Sequence, residues 1–206
     1  MTDAVKLEDE INDGFTERLS WLKGPKPFYG YTFRDWETWD DWCPSEILNG
    51  IAYMMAPPSV EHQELSYGLT SQLKDFLQNK PCKAFMGVGV RLEPKEDKSD
   101  KQVPIPDIVV VCDEEKIDKF INGAPDFVIE ILSPGNKAND LLTKKELYEQ
   151  AGVKEYWIID QIKHYRIHKN ILIGGRFHEA IIDITEGLKI SVETLPGCEL
   201  GFHNER

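Results

Sequence analysis

Residues 125–134 read PDFVIEILSP, and the letter that does not fit is the glutamate. The run Phe127-Val128-Ile129-Glu130-Ile131-Leu132 has the composition of a buried strand, stopped by Ser133-Pro134. An ionised carboxylate inside such a strand costs several kcal/mol unless it is paired, hydrogen-bonded or bound to a metal. Because side chains alternate, Asp126, Val128, Glu130 and Leu132 share one face, opposite Phe127, Ile129 and Ile131. A second strand, Pro106-Asp107-Ile108-Val109-Val110-Val111, also carries an acid at its start. If the two strands are neighbours, Asp107 and Glu130 converge at one end of a sheet. Two such carboxylates repel unless a cation or a proton lies between them. Hard oxygen donors without a nearby His or Cys suit Mg²⁺ or Mn²⁺.

Downstream, "ANDLLTKKELYEQAG" predicts a helix ended by Gly152. At about 100° per residue, Lys144 falls in the centre of a stripe formed by Asp140, Leu141, Leu147, Tyr148 and Ala151. Lys145 lies on the side and is expected in solvent. An aliphatic stem can cover a core while its ammonium reaches a polar pocket, so Lys144 reads either as a snorkelling structural lysine or as an inward cation. Two carboxylates, a divalent metal and a lysine together suit phosphodiester hydrolysis.

Upstream, "SEILNGIAYMM" predicts two short strands around an Asn49-Gly50 turn. Ser59 caps a helix whose apolar stripe runs Leu65, Leu69, Leu73, Phe76, with His62 on the same stripe one turn earlier. That histidine reads as a satisfied core residue or as a site residue. Trp36, Trp39 and Trp42 are spaced as one helical face docking on the body. "KAFMGVGVRLE" predicts a strand, "EEKIDKF" a short helix, and "KEYWIID" and the segments to residue 202 further strands and hairpins. The order of elements indicates an α/β (α+β) domain with a mixed sheet.

The chain has 206 residues, 41% of them hydrophobic, which suits one domain over residues 31–206 after an acidic N-terminal extension at 1–30. No apolar run has membrane-span length, and the acidic N-terminus does not resemble a secretory signal, so no membrane contact and a cytoplasmic location are expected. The four cysteines lie at least 30 residues apart, without zinc-site spacing, and are expected as reduced thiols. The net charge of −12 speaks against sequence-blind adhesion to nucleic acid through a broad basic face. It is unevenly spread: residues 1–50 carry eleven acids against five bases, residues 131–170 five acids against seven bases. A phosphate-bearing substrate is not excluded.

At these residues the chain resembles the PD-(D/E)XK nuclease superfamily, and more closely a widespread bacterial family of restriction-endonuclease-like proteins (the DUF820/Uma-two type). The resembling segments are "SEILNGIAYMMAPPSVEHQ", "IPDIVVVC", "PDFVIEILSPGNKANDLLTKKELYEQAGVKEYWIID" and "LPGCEL". The resemblance implies a restriction-endonuclease-like core, a mixed sheet flanked by helices with extra β-hairpins. It further implies an endonuclease that uses Mg²⁺ or Mn²⁺ to hydrolyse DNA, often as a homodimer. Asp107 and Glu130 match its metal-binding acids. Its signature lysine belongs two residues after that Glu, where this chain has Leu132; in this family the lysine has moved to the following helix, at Lys144. Glu46, His62 and Tyr148 match positions of auxiliary role. Two rivals stay open: a catalytically silent protein- or nucleic-acid-binding protein on the same fold, and a structural reading in which Asp107 caps a turn and Glu130 pairs with Lys144.

Overall fold

The structure, a computed structural model, describes residues 29–39, 44–132, 138–160 and 165–202, with side chains in the helix from 138 described from residue 142 onward. The acidic extension therefore lies almost wholly outside the described residues. In chain order the elements are α1 (Phe33–Trp36), β1 (Ser45–Leu48), β2 (Ile51–Met54), α2 (Val60–Phe76), β3 (Lys83–Met86), β4 (Val90–Arg91) and β5 (Ile108–Val111). Then follow β6 (Ile121–Asn122), β7 (Phe127–Ile131), α3 (Ala138–Ala151), β8 (Glu155–Asp160), β9 (Arg166–Ile173), β10 (Arg176–Asp183), β11 (Leu188–Ser191) and β12 (Glu199–Phe202).

Six strands form the main sheet in the order β10-β9-β8-β7-β5-β3. β7 and β8 are parallel, as their connection through α3 requires, and the other neighbours are antiparallel. The sheet is mixed and the fold is α+β. β7 is central and buried along its whole length. One face packs Ile108, Val110, Phe127, Ile129 and Ile131 against Leu69 and Leu73 of α2 and against Leu200 and Phe202 of the closing strands. The other packs Val109, Val128, Tyr156 and Ile158 against Leu147 and Tyr148 of α3 and Leu48 of β1.

The local signals act as their chemistry requires. Asn49 and Gly50 both adopt positive φ (53° and 75°) and close the β1–β2 hairpin. The Ser59 side chain accepts the His62 amide and caps α2. Three expectations are corrected. The tryptophan helix is one turn long: the amides of Thr38 and Trp39 fold back to the carbonyls of Asp35 and Trp36, a tightened turn that ends α1. Trp42 lies outside the described residues. The strand expected over 83–93 breaks at Gly87-Val88-Gly89 into β3 and β4, which join different sheets. Finally, Cys82 and Cys112 form a disulfide rather than staying reduced. Register explains it: Lys83 lies opposite Val111, so the next residues outward face each other across β3 and β5. Cys198 is a free, buried thiol, its pKa pushed up to about 11 by burial. Cys43 lies outside the described residues. Among the described residues no helix is long and apolar enough to cross a membrane.

The break at Gly89 makes a sharp prediction. A Cβ there would lie 2.7 Å from the Trp36 ring, which is held by its indole N–H donating to the Ser45 carbonyl. Gly89→Ala should therefore lower stability by about 1–3 kcal/mol, the usual cost of overpacking, read as a reduced melting temperature.

Candidate active site

The register of the sheet assembles the acidic residues. Ile108 pairs with Ile129 in the antiparallel β5–β7 ladder, and one step further places Asp107 across from Glu130 on the same face. Asp107 Oδ2 accepts the backbone N–H of Ile131 at 2.7 Å, which ties it to the end of β7. The same oxygen meets His62 Nε2 at 3.2 Å, from the first turn of α2. His62 is buried, and its Nδ1 has no hydrogen-bond partner among the described residues. The hydrogen bond from Asp107 raises the His62 pKa above the ordinary histidine value, although burial opposes the shift.

Glu130 is 4% exposed. Its Oε1 accepts hydrogen bonds from Lys144 Nζ at 3.0 Å and from the Tyr148 hydroxyl at 2.9 Å. Lys144 and Tyr148 stand one turn apart on α3, so both reach the same carboxylate from one helix face. Lys144 Nζ also lies 2.9 Å from Glu46 Oε2, and that oxygen accepts the Ile105 N–H at 3.1 Å. Lys145, one residue on, points the other way and pairs with Glu179 at 3.0 Å. The Asp140 and Leu141 side chains of the expected stripe lie outside the description. The structure thus brings together all six residues read from the sequence, Glu46, His62, Asp107, Glu130, Lys144 and Tyr148.

Glu46, Asp107 and Glu130 supply three carboxylates; among the described residues Lys144 pairs with Glu46 and Glu130, and His62 pairs with Asp107. Burial raises the Glu130 pKa to about 7; Lys144 opposes the shift, and Asp107 and Glu46 reinforce it. Burial alone would lower the Lys144 pKa, yet Glu130 and Glu46 outweigh it and hold the ammonium charged. The proton on Glu130 and the charge on His62 set the balance of the cluster. Among the described residues no three His, Cys, Asp or Glu side chains converge as ligands of one ion. Asp107 and Glu130, facing each other across β5–β7, are the two acids that could hold a hydrated ion.

One residue escaped the sequence reading. Tyr156 on β8 stands beside Val128, one pleat from Glu130, and edges onto the Tyr148 ring at 4.9 Å. It is fully buried, and its hydroxyl has no partner among the described residues. Burial raises its pKa well above the usual tyrosine value, and Glu130, Asp107 and Glu46 push it the same way. A tyrosine inside "KEYWIID" looks like core; only the sheet register shows the acids beside it.

A mixed sheet carrying acids on adjacent strand ends, with a helix lysine over them, has the fold of nuclease-like proteins. The crystal structure of a "putative nuclease belonging to DUF820" from Anabaena variabilis ATCC 29413 superposes with a TM-score of 0.65. The two are 16% identical over 80% of this chain and 90% of that one. Residues 32–200 match the family model described as "Uma2: Putative restriction endonuclease", and the chain belongs to that family. No curated protein matches it.

The Glu130 shift has a definite sign. Between about pH 4.5 and 7 the folded state keeps a proton on Glu130 that the unfolded chain has lost, so this group's contribution to stability falls as pH rises through that window. His62 acts in the same direction, since its raised pKa stabilises the fold below the unfolded value and the benefit is lost as pH rises through the folded one. In chelator, the melting temperature should fall more steeply with rising pH in the wild type than in Glu130→Gln. Parallel curves would overturn the assignment.

Proposed function

We propose that the protein is a divalent-metal-dependent endonuclease that hydrolyses phosphodiester bonds in DNA. The observation that supports this reading is the cluster of three acids at the end of the sheet, Glu46 and Glu130 on Lys144 and Asp107 on His62. Asp107 and Glu130 would hold Mg²⁺ or Mn²⁺. Such an ion polarises a phosphoryl oxygen and lowers the pKa of its water. Lys144, already charged and fixed between two glutamates, would stabilise the negative charge that develops at the phosphate. Glu46 and Tyr148 orient the lysine and Glu130, and His62 orients Asp107. The Tyr156 hydroxyl, without a partner among the described residues, feels the charge of the same acids. Family membership supports a nucleic-acid substrate. Action on DNA fits a cytoplasmic setting, and a homodimer would let two sites meet two strands.

A second reading, in which the acids are structural and Glu130 is the buried ion-pair partner of Lys144, is favoured by their 3.0 Å contact. Metal response separates the two. With Mn²⁺ at a hundred times its Kd, the wild type should gain about 2.7 kcal/mol of stability. Asp107→Asn keeps an oxygen for the Ile131 amide but loses a charged ligand, so it should gain little. Nicking of supercoiled plasmid by the same variant should fall by roughly 10²–10³. Removing a buried, unpartnered hydroxyl relieves the apo protein, so Tyr156→Phe should melt at or above the wild type in chelator and yet nick more slowly. A wild type that is blind to both metals would overturn the nuclease reading.

A further inference from the structure

A cavity of about 260 Å³ opens beside the acidic centre, walled by Trp36, Trp39 and Phe120. We propose that it holds one unstacked nucleobase of a single-stranded or locally opened nucleic acid, whose backbone then runs past Asp107 and Glu130. The choice of nucleic acid as ligand rests on the nuclease reading above; the cavity and its chemistry do not.

Four observations carry the proposal. The first is continuity with the acids. Ser45 lines the cavity and precedes Glu46, Ile105 lines it and donates its N–H to Glu46, and Gly87 lines it and donates its N–H to the Asp107 carbonyl at 3.2 Å. The second is the character of the walls. Phe33 and Tyr31 are buried and serve the local core, whereas Trp36, Trp39 and Phe120 are only partly buried and leave aromatic surface on the cavity. Every base has a π-face, so aromatic walls take bases without sequence preference.

The third is size. The cavity lies below the roughly 300–1,000 Å³ of sites for drug-sized ligands and suits a single planar ring system. A base paired and stacked in a duplex cannot enter it without being extruded. The fourth is charge. Lys119 lies at the cavity with its Nζ 5.1 Å from the Phe120 ring centre, exposed and placed to meet a backbone phosphate. Among the described lining residues the acid is Glu37, and both its oxygens are occupied by Lys98, at 2.9 and 2.8 Å, so its repulsion of a phosphate is offset. Trp36 is pre-set by its bond to the Ser45 carbonyl and by the bare backbone of Gly89.

The test titrates the full chain, in chelator so that nothing is cut, with a short single-stranded oligonucleotide and with the matching duplex, following tryptophan fluorescence. The single strand should quench the fluorescence and bind at least tenfold more tightly than the duplex. Trp39→Ala and Phe120→Ala should each weaken single-strand binding by roughly 5- to 150-fold, the loss expected for one stacked base. Lys119→Ala, at an exposed position where folding is not at stake, should weaken binding and reduce its salt dependence by about one counterion. Equal affinity for single strand and duplex overturns the proposal, as does wild-type binding in Trp39→Ala and Lys119→Ala. Thermal response to Mn²⁺ separates this from the site reading. A metal-responsive protein without single-strand binding overturns the cavity alone. A metal-blind protein with Trp39-dependent single-strand binding overturns the nuclease reading and upholds the cavity.

Discussion

Lys144 is the cation on which the candidate site depends. Its ammonium lies between Glu46 and Glu130, and those carboxylates come from a hairpin and from the central strand of the main sheet. Without it, two buried acids would stand unpaired beside a third, an arrangement that costs several kcal/mol per charge. The rest of the site is arranged around this contact. Tyr148, one turn later, doubles the hold on Glu130, and the Ile105 amide holds the same Glu46 oxygen that Lys144 meets. Asp107, the third acid, is met instead by His62. Lys144 and His62 thus hold the three acids from two different helices.

Asp107 plays a different part. Its Oδ2 accepts the amide of Ile131 and meets His62, so it joins the two faces of the sheet at their common end. α2 packs on one face and α3 on the other. Residues from the two helices therefore reach facing carboxylates at this end, His62 on Asp107 and Lys144 with Tyr148 on Glu130.

Much of this was legible in the sequence because the signals were local. Asn49-Gly50 has the backbone freedom a tight hairpin needs, Ser59 has the oxygen a helix start needs, and alternation in 126–132 put Glu130 on the face of Asp126. The helical angle separated Lys144 from Lys145 without any structure. What stayed hidden depends on register between distant strands. The Cys82–Cys112 disulfide exists because Lys83 pairs with Val111, and spacing in the chain does not encode that pairing. Tyr156 approaches the acids because Val128 pairs with it across β7–β8. The break at Gly87–Gly89 did carry a local signal, two glycines within a strand-like run: Gly87 takes a positive φ of 57°, and Gly89 marks a close approach of the Trp36 ring to the backbone.

The unit β7–α3–β8 spans only residues 127–160, and it contains Glu130, Lys144, Tyr148 and Tyr156. Its contacts close over short loops, whereas Glu46 and Asp107 reach it from farther along the chain. Closing a short loop loses less entropy than closing a long one, and local contacts speed folding. The lysine can thus meet its first glutamate within one supersecondary unit, before the hairpin and β5 dock. A core built on this unit encloses Glu130 together with its counterion on the adjoining helix. Closeness along the chain, as well as final geometry, makes an acid in the middle of a buried strand compatible with a foldable chain.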